Sequence, residues 1–79
     1  VRLRWCVVGD SERLRLPSGD FVDRAVHTWT RHAGYKYSVW RPGASSLGCA
    51  LWLCGADTLA ELRARYEAIG GTWETEGLT

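Results

Sequence analysis

The chain has 79 residues, a net charge of +1, 46% hydrophobic and 24% charged residues. That length holds one domain, residues 1–79, burying only about 60–65% of its extended surface, so its core is marginal. These fractions are ordinary for a globular protein, and no apolar run approaches the ~20 residues of a membrane span.

Charge is uneven along the chain. Residues 1–41 carry eight Lys/Arg and four Asp/Glu, whereas residues 42–79 carry two and five. Such a layout favours oriented docking or internal pairing. Cys6, Cys49 and Cys54 are an odd, sparse set, read as free thiols of a cytoplasmic protein rather than a disulfide framework. The opening Val1-Arg2-Leu3-Arg4 alternates and does not begin an apolar leader. Met, Asn and Gln are absent and Arg outnumbers Lys nine to one. This is the mark of GC-rich coding, as in an actinobacterium or its phages. Without Met, Val1 reads as a processed end, an excised domain or a non-AUG start.

Residues 1–8 alternate Leu3, Trp5, Val7 against Arg2, Arg4, Cys6, the period of a strand. Residues 9–12 read as a turn, and Arg13–Leu16 as a short strand pairing back before Pro17-Ser18-Gly19. Residues 20–33 are expected to form a first helix. Asp20 would cap it, Val22, Ala25, Val26, Trp29 and Ala33 would make its apolar stripe, and Gly34 would end it. Residues 35–41 and 47–54 read as two strands of a hairpin around Pro42–Ser46. A second helix is expected over 58–69, with Asp57 or Thr58 as its cap, Thr58 and Glu61 fitting a capping box, and Gly70-Gly71 as its stop. A last strand is expected over Thr72–Glu76.

The order implies an α+β fold. The simplest arrangement is a small ferredoxin-like (split βαβ) sandwich, an antiparallel sheet of four to five strands with two helices on one face. Residues 47–76, running strand, Asp-capped helix, Gly-Gly and strand, resemble half of a vicinal-oxygen-chelate (glyoxalase-type) module. The resemblance covers under half the chain. Such modules hold metal with His or Glu on their strands, whereas both His here fall in the first expected helix.

Five tryptophans stand in 79 residues, each able to bury roughly 200 Å². Their phases place Trp5 and Trp29 in the core and leave Trp73 open. The strand phases put Leu3, Trp5, Val7, Tyr35, Tyr37, Val39, Leu47, Cys49, Leu51 and Leu53 on a covered face. The opposite phase holds Arg2, Arg4, Cys6, Lys36, Ser38, Trp40, Gly48, Ala50, Trp52 and Cys54, an aromatic surface rimmed by cations. Its candidate partner-binding residues are Arg2, Arg4, Lys36, Trp40, Arg41 and Trp52, because Trp and Arg dominate interface hot spots. A one-residue register shift would exchange the two faces.

No catalytic constellation or phosphate-binding glycine motif accompanies this face. His27 and His32 are five apart, off the i,i+4 spacing that a helical metal pair prefers, and Cys49 and Cys54 fall on opposite strand phases. The chain is therefore expected to need no cofactor or metal and to be a non-enzymatic protein-interaction or regulatory domain. It would bind a protein partner or form a homodimer, without a membrane; a small phage or mobile-element inhibitor is one concrete form. Single-stranded nucleic acid stacking on Trp40 and Trp52 is an alternative, disfavoured by the near-neutral charge. A small-molecule sensor or enzyme fragment with a ligand between subunits is a third.

Overall fold

The computed structural model describes residues 5–43 and 50–73. Five strands form an antiparallel sheet in chain order: β1 (Cys6–Val8), β2 (Ser11–Arg15), β3 (Phe21–Ala25), β4 (Tyr37–Pro42) and β5 (Ala50–Ala56). Helix α1 (Leu59–Ala68) follows β5 and packs on β4 and β5. Among the described residues it is the one α-helix.

The segment expected to be a first helix is instead β3 followed by a loop. Its apolar spacing suits a helix, but pairing with β2 and β4 overrides it. Val22 lies between Leu14 and Val39 in the register, and all three are fully buried. The charges interlock as well: Arg13 Nε meets Asp23 Oδ1 at 3.0 Å, and Arg24 Nη2 meets Glu12 Oε2 at 2.6 Å. Cross-strand pairs of opposite charge stabilise a sheet. Among the described residues the five strands therefore meander, with one helix, in place of the split βαβ arrangement with two helices on one face.

The other elements follow local chemistry. Arg13 to Arg15 of the expected Arg13–Leu16 strand lie in β2, with Leu16 just past its end, and β4 and β5 are neighbours in the sheet as expected. Thr58 Oγ1 accepts the Glu61 N–H at 3.2 Å, capping α1. Arg63–Glu67 at 3.0 Å and Arg65–Glu61 at 4.0 Å pair along its outer surface. Of the strand expected over Thr72–Glu76, Thr72 and Trp73 are irregular and the rest lies outside the described residues.

Beneath α1 the core comprises Leu14, Leu16, Val22, Val39, Cys54, Ala56, Leu62, Tyr66 and Trp73, with Trp5, Tyr37, Leu53 and Leu59 against it. Trp5 thus takes its expected place. Trp73 is resolved as core, 5% exposed, with its ring edge-on to Tyr66 at 6.0 Å. Trp29 is the correction: it is 76% exposed, because the helix that would have buried it does not form.

The register steps between Val39↔Cys54 and Trp40↔Trp52, leaving Leu53 as an extra residue. This bulge moves Cys54 onto the covered side, against its expected phase, while Trp52 stays on the open side. Leu51, expected to be covered, is exposed. Burial also raises the pKa of the Cys54 thiol.

Candidate functional site

The open side of the sheet is partly roofed by residues 26–36, which join β3 to β4. This connection is long for a hairpin, and long ordered loops are where binding functions concentrate. Its first half is a single 3-10 turn, Thr28–Thr30. Thr30 ties that turn down: its hydroxyl donates to the His27 carbonyl at 2.8 Å and accepts the His27 N–H at 3.2 Å. The turn presents the Trp29 indole outward, stacked on His27 with centroids 4.3 Å apart and planes 11° off parallel.

Its second half is a tight reversal. His32 and Tyr35 bridge, and the Tyr35 N–H donates to the His32 carbonyl at 2.9 Å. Ala33 and Gly34 both have positive φ, 51° and 82°, the pattern of a type I′ turn. Gly34 therefore turns the chain rather than ending a helix. The reversal lays His32 over the tryptophan pair, 4.8 Å from Trp40 and 5.2 Å from Trp52 between centroids. Tyr35 stacks near-parallel on Trp52, 6.3 Å between centroids.

Close approach at Gly55 lets Tyr35 lie there. A Cβ at Gly55 would sit 2.6 Å from Tyr35 Cδ2. Arg65 fastens the same corner from α1, donating to the Gly55 carbonyl, with its guanidinium 5.5 Å from the Tyr35 ring centre.

The expected site residues thus separate. Trp40 and Trp52 do face each other across β4 and β5, but both are only half-exposed beneath His32 and Tyr35. Lys36 is exposed at the loop's end, with Nζ 5.7 Å from the centre of Tyr37, a ring packed against the core. It also lines one shallow cleft together with Trp40. Arg41 is held by Asp20, Nε to Oδ1 at 3.1 Å and Nη2 to Oδ2 at 3.3 Å. Arg2 and Arg4 lie outside the described residues.

Asp20 is the hub of a buried polar cluster, not a helix cap. It is 4% exposed and also accepts the Tyr66 hydroxyl at 2.6 Å, which in turn lies 3.0 Å from Ser18 Oγ. Burial pushes the Asp20 pKa up, but the hydrogen bonds from Arg41 and Tyr66 outweigh it, and the carboxyl falls below its ordinary value. Burial and the Asp20 bond raise Tyr66. The group is structural: it ties the β2–β3 turn to β4 and α1.

Sequence reasoning missed the loop and Trp29. One signal could have found them: Glu12-Arg13 and Asp23-Arg24 are charge-complementary when folded antiparallel about Pro17-Ser18-Gly19.

A shallow cleft of about 40 Å³ lies between the loop and the sheet, lined in part by Ser11, Asp23, Thr30, His32 and Ser38. It has room for a few waters. No hydrogen bond joins His32 to Ser38 or Asp23, and Asp23 is committed to Arg13. No group of metal-ligating side chains occurs among the described residues, and none of their helices is long and apolar enough to cross a membrane. No family model matches the chain, and no curated protein or solved structure matches it.

Proposed function

We propose that this chain is a non-enzymatic, cytoplasmic protein-interaction domain that grips its partner with the β3–β4 loop, Trp29 acting as the anchor. One observation carries the reading. Trp29 is the most exposed of the described tryptophans, at 76%, yet it stands on an ordered turn pinned by Thr30 and stacked on His27. An indole left in water contributes little to folding and much to association, and Trp is enriched among hot spots.

Residues 26–36 contain Arg31, Lys36 and two histidines but no carboxylate. The complementary partner surface is an apolar pocket for the indole with acidic groups at its rim. Val26, exposed beside the turn, extends the apolar contact. Trp40 and Trp52 serve beneath, as the support that sets the height of the loop.

The test is titration of a partner isolated on the wild-type domain against Trp29→Ala and Arg31→Glu. The reading requires at least a tenfold loss of affinity for Trp29→Ala with an unchanged melting temperature. Equal affinity rejects it. Salt-dependent binding of single-stranded oligonucleotides, abolished by Trp29→Ala, would assign the loop to nucleic acid instead.

A further inference from the structure

The two edges of the sheet are treated differently. At β5 the Gly55 carbonyl is taken by Arg65, and α1 packs alongside. Among the described residues β1 pairs with β2 alone, and Cys6, Val7 and Val8 are all exposed. Val7 is 78% exposed. Edge strands are usually blunted by charge, proline or a bulge, since their free backbone groups template pairing. The three residues of β1 include neither charge nor proline, and their register to β2 is unbroken.

We infer that β1 is a self-association edge: a second copy of this chain adds antiparallel across a two-fold axis at Val7, joining two sheets into one. The register supports this centre. Val8 and Ser11 close the two-residue turn Gly9-Asp10, and a closing pair turns its backbone bonds inward. By alternation the N–H and C=O of Val7 point outward. Two copies centred there exchange two reciprocal Val7 bonds. Val7 then meets Val7 of the second copy, and Cys6 meets its Val8, so apolar side chains meet apolar ones on both faces. Such an edge is self-complementary, as a two-fold interface demands. A three-residue strand buries far less than a standard stable interface, so the dimer is weak. This edge is separate from the Trp29 loop.

Sedimentation equilibrium of the 79-residue chain in reducing buffer, from low micromolar to millimolar, tests it. The expected result is a reversible monomer–dimer equilibrium, weakened at least tenfold by Val7→Lys and retained by Trp29→Ala. In the wild type, amide exchange at Val7 should slow as concentration rises, which reads the edge without any substitution. A wild type that stays monomeric throughout, a dimer undiminished by Val7→Lys, or one lost with Trp29→Ala overturns the inference. Val7 exchange independent of concentration overturns it as well.

Discussion

Tyr35 lies flat against Gly55, on a spot where a side chain at residue 55 would collide with its ring. The loop that carries Trp29 is therefore docked by a glycine in β5 and not only by its own hydrogen bonds. This couples a loop between β3 and β4 to a strand it does not join. The loop's seat also covers Trp52, whose Nε1 is buried without a hydrogen-bond partner.

Gly55→Ala should unseat Tyr35. The expected cost is about 1–3 kcal/mol, the range for overpacking a filled site, read by urea unfolding. Tryptophan emission should shift to the red and acrylamide quenching should rise as Trp52 gains water. Tyr35→Ala should give the same optical change at a smaller cost, because water then reaches the orphaned indole N–H. Unchanged emission in both variants would show that the loop does not rest on this seat.

Ala33 stands at φ 51°, where an L-residue costs roughly 1–2 kcal/mol. Ala33→Gly removes that strain and adds roughly 0.5–1 kcal/mol of chain entropy to the cost of folding. The net gain should therefore lie between about 0 and 1.5 kcal/mol. Ala33→Val should destabilise by more than about 1 kcal/mol. The order Gly above Ala above Val in melting temperature is the check.

Stability should fall in acid through Asp20. Its folded pKa lies below the ordinary value, so the unfolded chain binds the proton more readily. The contribution is present above about pH 4 and is lost as pH falls through the folded pKa. Asp20→Asn should cost about 1.5–3 kcal/mol at neutral pH, the scale of a charged hydrogen bond, and should flatten the acid limb of the stability curve. An unaltered acid limb in this variant would remove Asp20 from the account.

Helix α1 and the β4–β5 pairing were legible because their signals are local. Thr58 and Glu61 sit at capping spacing, Gly70 follows the last turn, and Tyr37 to Trp40 alternate. The Trp40–Trp52 partnership was legible from strand phase. Cys54 was not, because the bulge at Leu53 is a tertiary event that reverses phase partway along one strand. The largest miss, residues 20–33, has a common cause. Val22, Ala25, Val26 and Trp29 satisfy a helical period, and only the pairing of Asp23 with Arg13 and of Arg24 with Glu12 distinguishes a strand. Once that helix is lost, Trp29 leaves the core and the candidate site moves from the sheet to the loop above it.

Trp73 and Trp29 make the sharpest contrast. Trp73→Ala should cost about 3–5 kcal/mol, as for any large core ring, enough to unfold a domain of this size.

The central claim is that Trp29 is displayed for a partner and is not part of the packing. Urea unfolding of Trp29→Ala beside the wild type tests it most directly. The account predicts a stability within about 0.5 kcal/mol of wild type, the usual span for a surface substitution. A loss above about 2 kcal/mol would return Trp29 to the core and contradict the claim.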